Sequence, residues 1–325
     1  MVLSAALIVW TLRGVSPATV ARELSASDPL LFLGSVICAT LIFVLRARRW
    51  QPILEPVVPG VPLGVLWRST AIGMMVNNVV PARAGEIARA YALTREAPVP
   101  FPAALASLAV DRLFDAVVLL LLATIALLDP ALSGNQTLAG RPLTDLAGGA
   151  IAIVGALLAI LYSLVFFPAR LLQLFELFAR RVSPAVEARG RQVLETFIAG
   201  LSVLRQPGRF AAVFGWTLAH WLLNAVAFWL AFRAVGITAP FSAALFLQAF
   251  IALGTAVPAA PGFFGVFEYM AVQGLGVYGV SQQQATSWAI GFHILSFIPI
   301  TLIGAWYFAR LGVKMRDLQA SPAAP

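Results

Sequence analysis

Charge is scarce in this chain. Only 11% of its 325 residues are Asp, Glu, Lys or Arg, while 60% are hydrophobic and the mean hydropathy is +0.89. A soluble domain carries about a quarter charged residues, so that class is excluded, and so is a disordered chain. Cysteine is nearly absent: Cys38 stands alone in an apolar run, which excludes a disulfide framework and a cysteine metal centre. The two histidines, His220 and His293, are far apart with no Cys/His cluster, and both read as helix-packing residues rather than ligands. Lys314 is the only lysine. No nucleotide loop, metal-ligand cluster or Ser/His/Asp pattern is present, so no cofactor and no catalysis are expected.

What is there is a set of apolar runs that approach or exceed the roughly 20 residues needed to cross a bilayer. The chain reads as all-α and polytopic, a single membrane domain over residues 1–319 with a Pro/Ala-rich, disordered tail at 320–325. Met1–Leu12 is a short first helix, and Pro29–Leu45 is a span closed by Arg46-Ala47-Arg48-Arg49-Trp50. Three arginines with an interfacial tryptophan read as a cytoplasmic anchor. Further spans fall at Phe101–Leu128, Leu146–Phe167, Phe210–Phe232 and Ala285–Ala309, about six with the short first helix. Residues 170–205 read as cytoplasmic interfacial helices, with apolar faces separated by arginines.

Two stretches do not fit a plain span. In Pro62–Leu93, Asn77 and Asn78 are followed by Pro81, Arg83, Gly85, Glu86 and Arg89. In Phe241–Val280, Pro258 and Pro261 stand with Gly262 and Gly265 ahead of Glu268. Proline removes a donor and glycine loosens the backbone, so neither stretch continues as one helix. Both read as re-entrant, broken-helix hairpins, although a cytoplasmic loop after a short helix also fits the first. The basic residues test this layout. With the Arg46–Arg49 end inside, seventeen lie on the cytoplasmic side and only Arg13, Arg22, Arg141 and Arg233 outside. The bias holds only if the two hairpins enter from opposite faces. The expected localisation is a bacterial inner membrane, with both termini cytoplasmic. Paired interrupted segments of this kind point to a transporter's central site. Topology also explains the excess of 22 basic over 14 acidic residues better than nucleic acid does, and no nucleic-acid partner is expected.

The polar residues of these stretches are the candidate substrate contacts. Arg83, Glu86 and Arg89 share a face if the helix resumes after Pro81. Guanidinium groups suit bidentate contact with phosphate, and the same residues also suit an Arg–Glu pair stitching the hairpin closed. Asn77 and Asn78 either satisfy the opened backbone or bind a headgroup. Asp111 and Asp115 are four apart on one helix with Arg112 beside them, an expensive group in hydrocarbon unless paired or wet. Arg112 is expected to pair with Asp115 or, across a cavity, with Glu86. Glu268 opens a second half-helix, where it either neutralises the helix end or carries a proton.

The motifs together resemble the lysylphosphatidylglycerol synthase transmembrane-region family: Arg46–Trp50; Asn78, Pro81, Arg83, Gly85, Glu86 and Arg89; Asp111, Arg112 and Asp115; Pro261, Gly262, Gly265 and Glu268. The resemblance runs from about Leu30 to Arg310. It implies a flippase-like membrane domain that moves an anionic lipid, with membrane lipids and lipid-synthesis enzymes as partners. It also implies no lysine transfer, because no aminoacyl-transferase domain lies within these residues. Two positions depart from the family pattern, Asp111, where glutamate is common, and Phe263, where a small residue is common. Alternatives are a carrier of a small soluble anion, a lipid-phosphate transferase, or a scaffold for lipid synthesis.

Overall fold

The computed structural model describes residues 2–81, 84–129, 137–138, 141–142, 167–180, 205–256 and 260–312, with scattered positions between 145 and 195. Eleven described helices carry the fold: α1 (Val2–Leu12), α2 (Pro17–Ser25), α3 (Pro29–Leu54), α4 (Leu63–Val79), α5 (Gly85–Glu96), α6 (Phe101–Leu127), α7 (Pro168–Ala179), α8 (Pro207–Ala234), α9 (Phe241–Gly254), α10 (Val266–Gly276) and α11 (Gln282–Leu311). A two-residue ladder, Thr137–Leu138 with Arg141–Pro142, is the described β-structure. The protein is an all-α membrane protein. Among the described residues α3, α8 and α11 are long and apolar enough to cross a bilayer. α6 matches them in length but carries three charged residues. The expected span at Leu146–Phe167 and most of the interfacial region after it lie outside the continuously described residues.

Local chemistry sets the helix ends. Asp28 caps α3 by accepting from the Leu30 and Leu31 N–H groups, and Ser281 caps α11 through Gln284. α11 stops at Gly312 in a left-handed conformation, the usual glycine terminator. α1 has eleven residues, about 16 Å at the helical rise, roughly half the hydrocarbon thickness. It packs on α10 rather than standing alone.

α3 and α8 form the long central pair. Ser35 Oγ donates to the Ala227 carbonyl and His220 Nδ1 meets the Ile42 carbonyl, so seven residues forward on one helix match seven back on the other. The pair is therefore antiparallel. The opposite side of α3 presents Leu30, Leu33, Ile37, Leu41 and Val44, all exposed at helical spacing. In water such a stripe would be a liability; in a bilayer it is the lipid face. Two cores flank the pair. One stacks Phe228, Phe232, Phe267, Trp288 and Phe292 among α8, α10 and α11; the other packs Trp50, Leu54, Leu66, Leu93, Leu108 and Phe114.

Both interrupted stretches are helical hairpins. α4 turns back into α5, α9 turns back into α10, and α4 packs against the 3₁₀ turn Pro261–Phe263 that opens the second return. One boundary needs correction. α3 does not close at Leu45 with an anchor at the interface. It continues to Leu54, Arg49 and Trp50 are fully buried, and only Arg48 of the three arginines is exposed.

Candidate functional site

The first hairpin closes on glycine. A Cβ on Gly85 would collide with the Gly73 carbonyl and the Asn77 side chain, and one on Gly73 would strike the Gly85 carbonyl and Arg89. Only hydrogen at both positions lets the two backbones approach this closely. α4 ends just before Pro81, and helix resumes at Gly85, four residues beyond the proline. Asn77 Oδ1 accepts from the Gly85 N–H at 2.8 Å, so this carboxamide takes up an opened backbone donor. Asn78 does something else: its Nδ2 donates to Thr301 Oγ1 on α11 at 2.6 Å. Arg83 lies outside the described residues.

This turn places Glu86 and Arg89 beside the charged face of α6. Arg49, from α3, joins them and is the centre of the group. Its guanidinium reaches Asp111 Oδ1 at 2.6 Å and Asp115 Oδ1 at 2.5 Å. Arg89 Nη1 contacts Asp111 Oδ2 at 3.2 Å, while its guanidinium lies 4.0 Å over the Trp50 ring. Arg112 makes both expected pairs, with Glu86 at 2.7 Å and Asp115 at 3.1 Å. Arg46 approaches Glu86 at 3.8 Å, and Trp221 donates to Asp115 at 2.9 Å. Trp50 is held in place by its own donation to Ser107 Oγ at 2.8 Å.

Burial is graded across this cluster. Arg49 and Asp111 have no exposed side-chain surface, whereas Arg112 is 42% and Glu86 30% exposed. Four guanidiniums face three carboxylates, so the described group carries a net positive charge. Among the described residues several donors find no hydrogen-bond partner: Nε and Nη2 of Arg89, and Nε of Arg46. Taking one member from a buried ion pair costs about 3–5 kcal/mol, because the remaining charge is stranded.

Glu268 belongs to a second centre and, among the described residues, makes no ion pair with the first. It is the third residue of α10, and its Oε2 accepts from the Gly265 N–H at 2.6 Å, as a helix-capping carboxylate does. Its Oε1 lies 2.6 Å from His293 Nδ1. His293 is therefore not the plain packing residue expected from its isolation in sequence. Gly262, Phe263 and Gly265 all have positive φ, at 62°, 62° and 86°. Phe263 thus carries a side chain in the left-handed region, where glycine is at ease.

Sequence reasoning located Glu86, Arg89, Asp111, Arg112 and Asp115 but missed Arg46, Arg49, Trp50, Trp221 and His293. For α3 a signal existed. If the helix continues past Leu45, its period puts Arg46, Arg49 and Trp50 on one side and Arg48 on the other.

The profile of the lysylphosphatidylglycerol synthase TM region matches residues 1–304. The chain belongs to this family. It is 24% identical to a UPF0104 membrane protein of Methanothermobacter thermautotrophicus over 325 aligned residues, 92% of this chain and 88% of that one. A second such protein from the same organism is 24% identical over 87% of this chain and 84% of its own length. A third relative is named glycosyltransferase AglD, of Haloferax volcanii, and is 31% identical over 140 residues. That is 43% of this chain but only 22% of the relative. This likeness corrects the expectation that the chain is not an enzyme: a protein with a transferase name shares part of this membrane region.

Proposed function

We propose that this protein binds an anionic lipid phosphate at the Arg46–Arg49–Arg89–Arg112 cluster and carries it between the leaflets of a bacterial cytoplasmic membrane, with both termini on the cytoplasmic side. The observation that carries this reading is the buried net positive charge, together with the unpartnered Nε and Nη2 of Arg89. A phosphate supplies both the missing charge and the missing acceptors, in the planar geometry a guanidinium prefers. Glu86 holds Arg112 and Arg46 at the half-exposed end, where a headgroup would displace it. Arg83 and Asn78 are further candidate contacts in this proposal, and Asn77 ties the turn together behind them.

The test is loss of fluorescence on dithionite addition to proteoliposomes with labelled phosphatidylglycerol, and in parallel with labelled phosphatidylcholine. Wild-type protein is expected to expose the anionic lipid faster, and Arg112→Gln and Glu86→Gln to slow it. Equal rates for both lipids would remove the anionic specificity, and no movement of either would end the flippase reading.

A second reading has one observation in its favour, the likeness to the protein named glycosyltransferase AglD. In it the same cluster holds the phosphate of a lipid acceptor during group transfer. Incubation of the purified protein with a polyprenyl phosphate and a labelled sugar nucleotide would yield a labelled lipid.

A further inference from the structure

Both ring nitrogens of His293 face oxygen. Nδ1 lies 2.6 Å from Glu268 Oε1, and Nε2 lies 2.8 Å from the Gly262 carbonyl. A backbone carbonyl has no hydrogen to give, so Nε2 must carry one. At 2.6 Å the Nδ1–Oε1 contact also needs a hydrogen between its atoms, whichever of them owns it. The pair therefore holds one proton more than a neutral imidazole beside a carboxylate would. Remove that proton, and one of the two contacts sets lone pair against lone pair. A net negative charge then remains where Glu268 is 3% and His293 8% exposed, between the Phe264 and Phe267 rings, each 4.4 Å from the imidazole.

Little else near the pair is charged. α1 and α9 carry no titratable side chain, and α10 adds only Tyr269, which turns to Trp10. Of the elements against α11, α2 offers Arg22 and Glu23, α3 Cys38, Arg46, Arg48 and Arg49, α4 Arg68, and α8 His220, Arg209 and Arg233. α11 itself adds Tyr307 and Arg310 near its far end. Among the described residues His293 is the only recorded ion-pair partner of Glu268.

The contacts at stake hold one turn. His293 grips the Gly262 carbonyl, Glu268 takes the Gly265 N–H, and Ser4 Oγ of α1 takes the Ala260 N–H at 2.9 Å. Between them the backbone runs through three left-handed residues, a conformation that the surroundings must enforce. A cavity of about 190 Å³, lined by Ile8, Thr11, Leu12, Phe264, Glu268, Ile290 and Ile294, borders the pair.

We propose that the His293–Glu268 pair is a proton-binding site that latches the second hairpin: protonated, it fixes the Pro261–Phe263 turn against α4, and deprotonated, it lets that turn go. The proton shared by Nδ1 and Oε1 passes to water and no covalent bond changes. What the latch serves rests on the transport reading above, in which release of this turn would open the cavity on its side.

The test is amide hydrogen exchange by mass spectrometry, on protein in neutral phosphatidylcholine vesicles, between about pH 5 and about pH 9. After correction for intrinsic rates, the peptide over residues 260–268 should gain exchange by about tenfold across one pH step, while residues 73–81 show none. Glu268→Gln and His293→Gln should each abolish the step; the latter keeps a donor for Gly262. A wild-type protein without the step, or a step that survives in Glu268→Gln, overturns the latch, and the wild-type arm decides alone should a variant not fold. No lipid substrate is involved, so a missing step leaves the transport reading standing. Lost lipid movement with the step intact leaves the proton site and removes transport.

Discussion

The two hairpins break a membrane helix in the same way and repair it differently. Hydrocarbon offers no partner to the freed backbone groups, so each must find one within the protein. The first hairpin uses contact and charge. Gly73 and Gly85 bring α4 and α5 together, Asn77 takes the Gly85 N–H, and a network of seven charged side chains lies alongside. The second uses a cap. Glu268 and His293 hold three left-handed residues, with aromatic rings filling the surroundings. A many-membered network can exchange one of its own carboxylates for a ligand and stay connected. A two-residue centre can exchange only a proton.

That contrast can be broken at several points. The largest effect belongs to Arg49→Met, which removes the fully buried cation shared by Asp111 and Asp115. A loss of about 3–5 kcal/mol is expected in unfolding measured in detergent micelles. Arg48→Met, one residue away and exposed, should stay within about 0.5 kcal/mol in the same measurement. Gly85→Ala comes next, at about 1–3 kcal/mol from overpacking. Gly208→Ala, where a Cβ meets nothing within 4 Å, is its neutral counterpart. The smallest of the three losses is Asn78→Ala, which removes the hydrogen bond to Thr301 on α11. An interhelical bond of this type is worth about 0.6 kcal/mol, so the shift should be just measurable. If Asn78→Ala instead matched Gly85→Ala, the first hairpin would depend on polar bonds rather than on close approach.

Much of the first hairpin was legible because its signals are local. Pro81 and Pro261 mark the breaks whatever surrounds them, and the three- and four-residue spacing of Asp111, Arg112 and Asp115 puts them on one helical face. The partner of Arg112 was within reach for the same reason, since Asp115 is on its own helix and Glu86 is the nearest acid of the broken segment. Arg49 was legible only to a reading that carried the helix past Leu45. In an arginine-rich run that ends an apolar stretch, the positive-inside rule favours an interfacial anchor, and nothing local shows that the helix continues inward. His293 was hidden differently, 25 residues from Glu268 with no acid near it in sequence.

The sequence alone determined the membrane class and the places where two helices must break, because each follows from hydropathy, proline and glycine within a few residues, and its motifs in order carried the family resemblance. Which arginine holds the acidic pair, and which histidine shares a proton with Glu268, was decided only by tertiary structure. Those contacts join different helices, and the depth and rotation at which helices pack are set by the whole bundle rather than by any one stretch of chain.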